Sequence, residues 1–291
     1  MEQIKHKKIT KVLLEERAEQ LLRAHFQAAS LMNESLSIDK ESLEAEELLQ
    51  TLERQYRYGI CGHLHEGEML PDDFSDMRVY SALEELYAGY PFNAFDDNSL
   101  GLIETITLAA QARHELVIHD GISMRDLFDL DDDFTYTSGE IELRELAAIA
   151  DMSVQSVRND ISKNAKSLKF RSSGGKHYTS VTEAKNWLSQ RNSFKPTINF
   201  IELNKREQAE SLLYIPVAKD GSYFTSKCRM TRGYQVGEKG NEQYFESFIE
   251  ARNHLLFMTQ AKWRRPNEKG NFGIVSAAEW KFVPKEEVLK N

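Results

Sequence analysis

Cysteine is nearly missing from this chain. Cys61 and Cys228 are the only two in 291 residues, which excludes a disulfide framework and a four-cysteine zinc site. Proline and glycine are sparse as well, at 6 and 15, which excludes a collagen-like or low-complexity architecture. No run of about 18 apolar residues occurs, so no membrane span is expected. Near the start, Val12-Leu13-Leu14 follows Lys5-His6-Lys7-Lys8 and is too short for the apolar centre of a signal peptide. A reducing, cytoplasmic setting is the expectation. Enzyme signatures are missing too. There is no Gly-x-Gly-x-x-Gly after a strand, no phosphate loop ending Gly-Lys-Ser/Thr, no His-Glu-x-x-His and no Gly-x-Ser-x-Gly. Neither catalysis nor a cofactor is expected.

What is present suits a folded protein. Hydrophobic residues make up 41% and charged residues 29%, enough apolar surface to build cores and to exclude wholesale disorder. The net charge of −9 is unevenly spread: residues 1–137 sum to −16, residues 138–204 to +3 and residues 205–291 to +4. An acidic region beside basic ones can mark a nucleic-acid-facing segment.

Three domains are expected from texture. Residues 1–137 read as acidic helices for dimerisation or partner binding. Ile9, Val12, Leu13, Leu21, Leu22, Phe26 and Ala29 recur at helical spacing, and a second helix is predicted over Glu41–Tyr58. A loop follows over Gly59–Asp73. Ser75 opens a helix carrying Val79, Leu83, Leu86 and Tyr87, and another runs from Ser99 to about Val117. A short helix from Ser123 ends in the acidic run Asp129–Asp133, the expected boundary. Residues 196–291 read as a small basic α+β domain. Strands are expected at Leu212–Val217, Tyr234–Val236, around Trp263 and at Asn271–Val275, with Asn241 capping a helix that carries Phe245 and Phe248.

Residues 138–195 carry the functional signal. From Leu143 to Ile161 the chain has the form of two short helices joined by a tight turn. Steeply crossed helices need a small residue where they touch, and Ala147 stands there. Leu143, Leu146, Ala150, Met152, Val157 and Ile161 take the inward positions, and Ser153 is placed to cap the second helix. Val154, Gln155, Ser156, Arg158 and Asn159 are left to point outward, a side-chain set suited to base edges in a major groove.

This stretch resembles the helix-turn-helix of the lactose-repressor type. The shared pattern is Leu-x-x-φ-Ala-x-x-Ala, a turn, then φ-Ser-x-Gln-Ser-Val. Asp151 stands at the turn position usually held by Gly, and Glu142 is an unusual start for the first helix. Downstream, Leu168–Thr179 reads as a β-hairpin with a Gly174-Gly175 tip, and Ser180 with Glu183 forms a capping box for a helix carrying Trp187. Helix pair, hairpin and closing helix are similar to excisionase-like and MerR-like DNA-binding domains. Arg158, Lys163, Lys166, Lys169, Arg171 and Lys176 give the stretch Val154–His177 a local net charge of +5, with Asp160 as the one acid. Lys163, Lys166, Lys169, Arg171, Lys176 and His177 join the candidate DNA contacts.

Two other clusters carry candidate chemistry. Lys262, Arg264 and Arg265 around Trp263 form a possible auxiliary DNA contact or simply a structural strand. Cys61-Gly62-His63-Leu64-His65-Glu66 holds metal-capable side chains without a matching second cluster, so no metal is expected.

The fold expected is mainly α with α+β: a helical N-terminal region, a central winged helix-turn-helix and a small C-terminal α+β domain. The function expected is sequence-specific binding of double-stranded DNA by a homodimeric transcriptional regulator, with a protein partner for the acidic region and no membrane. The alternatives are an architectural or recombination accessory factor, and a protein-interaction adaptor whose helix pair is only structural.

Overall fold

The computed structural model describes residues 4–32, 45–65, 72–88, 94–95, 101–122, 138–163, 168–191, 193–258, 260–267 and 269–290. They form two compact units, residues 1–198 and 199–291, of mixed helix and strand. Among the described residues no helix is long and apolar enough to cross a membrane.

The first unit opens with helices α1 (Lys11–Met32) and α2 (Ala45–Tyr56). The buried stripe of α1 is Leu14, Ala18, Leu21, Ala24 and Ala28. Val12 and Phe26, expected inside, are 59% and 37% exposed, because the buried stripe runs through Leu14, Leu21 and three alanines on another side of the helix. Residues 41–44 of the predicted second helix lie outside the described residues. Beyond Tyr56 the helix widens into a π-turn, Arg57–Cys61, which takes in the end of the predicted helix and the start of the predicted loop. Gly59 is needed there: a Cβ would fall 2.6 Å from the Ala110 backbone nitrogen.

Helix α3 (Asp73–Ala88) starts two residues before the predicted Ser75. Its inward face is Met77, Tyr80, Glu84 and Tyr87, while Val79 and Leu86 are each 55% exposed. Helix α4 (Leu102–His119) lies at the centre, with Leu102, Ile103, Ile106, Ala109, Ala110, Ala112, Leu116 and Val117 all buried. A helix apolar on most sides belongs in a core. Two of its buried polar residues, Thr107 and Arg113, are paired. Thr107 donates to the Ile103 carbonyl at 2.7 Å, and Arg113 donates to the Gly59 carbonyl and to Thr197 Oγ1. Glu84 accepts from Arg17 and from the Ile103 N–H at the start of α4. The predicted helix at Ser123 and the acidic run Asp129–Asp133 lie outside the described residues.

Next come strand β1 (Glu140–Glu142), helices α5 (Leu143–Ile149) and α6 (Val154–Lys163), strands β2 (Arg171–Ser173) and β3 (Lys176–Ser180), and helix α7 (Val181–Leu188). The three strands pair antiparallel in the order β1-β3-β2. The expected break near residue 138 is not a break in the core. Leu14, Leu48, Met77 and Ile106 belong to one continuous buried cluster with Ile141, Leu146, Val157 and Trp187. Residues 1–137 and 138–195 thus share their interior.

The second unit holds α8 (Phe200–Ala209), β4 (Leu212–Ala218), β5 (Arg229–Met230), β6 (Gly233–Glu238), β7 (Asn241–Phe245), α9 (Phe248–Phe257), β8 (Lys262–Pro266), β9 (Phe272–Pro284) and α10 (Lys285–Leu289). Its antiparallel sheet runs β4-β9-β8-β6-β5, with β7 also on β6. The long β9 pairs β8 with its first half and β4 with its second. Phe224, Tyr234, Val236, Phe248, Leu255 and Trp263 make the core. Two expectations change here. Asn241 begins a strand, because the tight turn at Lys239-Gly240 sets Glu238 opposite Asn241; the helix starts later, capped by Ser247. Helix α8 was not expected, although Asn199 caps it by accepting from the Glu202 N–H at 3.0 Å.

Candidate nucleic-acid interface

The helix pair α5–α6 is built from local signals. Glu142, an unusual first residue, begins α5 through a reciprocal capping box with Glu145: its own N–H donates to Glu145 Oε2 at 2.8 Å. At the other end the Met152 N–H donates to the Ala147 carbonyl at 3.0 Å, folding the turn under the helix. Asp151 adopts φ +54°, the left-handed region that Gly usually serves and Asp tolerates. Ser153 then caps α6, accepting from the Ser156 N–H at 3.1 Å. Ala147 is fully buried, as the crossing of two helices requires.

The Asp151 turn is held from far away in sequence. Its carboxylate accepts from the His6 N–H at 3.0 Å, and its carbonyl accepts from Lys5 Nζ at 2.6 Å. The buried His6 ring places Nε2 2.8 Å from the Ala148 carbonyl. Burial pushes the His6 pKa down, against the opposing pull of Asp151. The sequence gives no local signal of this contact.

Along α6, Val157 is buried and Ile161 half-buried, while Gln155, Ser156, Arg158 and Asn159 are exposed. Gln155 Nε2 donates to Asn159 Oδ1 at 2.9 Å, one helical turn on. The Arg158 carbonyl accepts from Ser162 Oγ at 2.9 Å, while its guanidinium has no partner among the described residues. Val154, expected to point outward with them, is half-buried against the core. Its place one turn from Val157 carries it to the inner side. Lys163 ends α6, and Lys166 lies outside the described residues. Asp160 serves the fold: it accepts from Trp187 Nε1 at 3.0 Å and from Arg191.

The hairpin turns at Gly174-Gly175, with φ of +58° and +79°. Lys169, Arg171 and Lys176 are exposed. Two of them are not bare charges, however. Arg171 makes a two-pronged contact with Glu140, and Lys176 Nζ donates to Glu142 Oε2 at 2.8 Å. The Glu140–Arg171 bond holds the carboxyl below its usual pKa and the guanidinium above its own. Glu140 and Glu142 lie outside the stretch that sums to +5, and strand pairing brings them back to lower that excess. His177 is half-buried with Nδ1 3.0 Å from Ser172 Oγ.

In the second unit the candidate auxiliary cations are each matched by a carboxylate. Lys262 donates to Glu238 at 2.5 Å, Arg264 to Glu242 at 2.8 Å, and Arg265 to Asp220. Trp263 between them is fully buried, as the structural-strand alternative expects. Cys61 sits in the π-turn, where burial raises its thiol pKa. Comparison with known proteins finds no matching family model, no similar curated protein and no similar solved structure.

Proposed function

We propose that this protein binds double-stranded DNA sequence-specifically, through a winged helix-turn-helix formed by β1, α5, α6, the β2–β3 hairpin and α7, and that it acts as a homodimeric transcriptional regulator in the cytoplasm. The observation that carries this reading is the outer face of α6. Gln155, Ser156, Arg158 and Asn159 stand exposed there, on a helix whose opposite side is buried and whose start is fixed by the Asp151 turn and the Ser153 cap. Gln suits adenine and Arg suits guanine in the major groove. Lys169 and the hairpin cations are exposed and would meet phosphates, which fix register without reading sequence. A dimer supplies two such helices to half-sites about 34–36 Å apart.

The test is selection of bound sequences from a random duplex pool, with wild type and Arg158→Ala compared. The variant is expected to lose about 1–3 kcal/mol on the preferred site and to relax preference at one base pair. Unchanged affinity and an unchanged selected sequence would remove α6 as the reader. Absence of any salt-dependent duplex binding would favour the adaptor alternative instead.

A further inference from the structure

The basic segment at the start of the chain is not used in the reading above, yet it lies against the recognition turn. Ile4 and Ile9 are buried at its two ends, at 7% and 5% exposure, and His6 is buried between them. Lys5 and Lys8 are exposed. The segment is thus an ordered strap, pinned at Ile4, His6 and Ile9, with Lys5 and Lys8 on the outside. A single 3-10 turn, His6–Lys8, keeps it short, and the Lys8 N–H donates to the Lys5 carbonyl at 2.9 Å.

Beside the His6 ring on the Ala148 carbonyl, two contacts tie it to the turn, His6 N–H to the Asp151 carboxylate and Lys5 Nζ to the Asp151 carbonyl. Asp151 stands two residues before Ser153, the cap of α6. The Lys5 ammonium therefore sits beside the end of α6 that would enter the groove. An ammonium has three donor hydrogens, and the Asp151 carbonyl uses one. Two remain. Lys8 lies one short turn away and has no ion-pair partner among the described residues. Lys11, the next cation, differs: it is 3.9 Å from Glu15 and 3.5 Å from Glu53. The major groove is about 12 Å wide, so a cation at the start of a helix inside it lies near the phosphates that border it.

We propose that residues 4–9 form a second DNA contact, a preordered basic strap whose Lys5 and Lys8 bind backbone phosphates beside the recognition helix. This rests on the DNA-binding reading of α6 and adds a contact to it. The strap would contribute affinity without sequence preference, and burial of its anchors means that little ordering is needed on binding.

The experiment uses the full chain and the duplex selected by wild type, with binding isotherms at several salt concentrations. Lys5→Gln with Lys8→Gln is expected to reduce the slope of log affinity against log salt by about two units, since each phosphate contact contributes about 0.9. The selected sequence should not change. Because Lys5 also steadies the Asp151 turn, Lys8→Gln alone is measured as well, and its slope should fall by about one unit at unchanged thermal stability. An unchanged slope in Lys8→Gln and in the double variant, with Arg158→Ala still altering the selected sequence, overturns the strap alone. If wild type binds no duplex in a salt-dependent way, both the strap and the DNA-binding reading fall.

Discussion

Trp187 Nε1 donates to the Asp160 carboxylate at 3.0 Å, tying the closing helix α7 to α6. Arg191 reaches the same oxygen while its guanidinium lies 4.2 Å from the centroid of the Trp187 ring. Removing this acid makes the region more basic, so charge alone predicts tighter DNA binding for Asp160→Ala. The geometry predicts the opposite cost. The variant leaves a buried indole N–H unpaired and should lose about 1–3 kcal/mol of stability, with Asp160→Asn losing less. Urea unfolding of the two variants checks this, and an Asp160→Ala protein as stable as wild type would show the bond to be dispensable.

A second expectation concerns Asp151. Left-handed backbone there favours Gly over Ala by about 1–2 kcal/mol, but only a side-chain acceptor can keep the His6 N–H bond. Asp151→Asn should therefore stay close to wild type. Asp151→Gly relieves the backbone and loses the bond, for a net change within about 1 kcal/mol. Asp151→Ala loses on both counts and should cost about 2–3 kcal/mol. A ranking with Ala above Gly would contradict the turn conformation, and Asn no more stable than Gly would contradict the strap contact.

Glu140 restrains Arg171 and thereby tempers the hairpin. Glu140→Gln should strengthen binding to specific and scrambled duplexes in equal proportion and steepen the salt slope, without altering the preferred sequence. Arg171→Ala should do the reverse. Isotherms on both duplex types separate this from the structural-hairpin alternative, under which neither substitution changes the slope.

Acid should loosen the strap. Burial holds His6 below its ordinary pKa of 6.5, so the unfolded chain takes up a proton there more readily than the folded one. The stability this histidine contributes is complete above pH 6.5 and is lost as the pH falls below it. The groups facing the ring are Asp151, the Ala148 carbonyl, Lys5 and Arg113. His6→Gln keeps a donor for Ala148 without a proton to gain. Wild type should lose stability relative to this variant between about pH 6.5 and 5, measured by thermal unfolding across the range. Parallel pH profiles would show that His6 does not titrate differently on folding.

The parts legible in the sequence are those fixed by neighbours in the chain. Ser153 as a cap, Asp151 as the left-handed turn, Ala147 as the contact residue and Gly174-Gly175 as a tip each depend on a few adjacent residues. What depends on distant partners is not legible. Arg171 and Lys176 read as free cations until strand pairing sets Glu140 and Glu142 beside them. Val154 reads as an outward residue until the first-unit core supplies something for it to pack against. In the second unit Asn241 satisfies helix-cap preference, yet the hairpin at Lys239-Gly240 commits it to a strand first. Lys5-His6-Lys7-Lys8 shows nothing locally of its hold on Asp151, 145 residues on from His6.

The common interior of α1–α4 and the helix pair bears on portability. Cut out as residues 138–195, the segment would present Ile141, Leu146, Ala148 and Ile149 to water on the side that α4 now covers. It would also lose the His6 and Lys5 contacts that set the turn. A graft of this segment onto a foreign protein would therefore carry its residues but not its shape. The compact unit that carries this interior whole is residues 1–198, so loosening any of its four leading helices is expected to disturb the outer face of α6 as well.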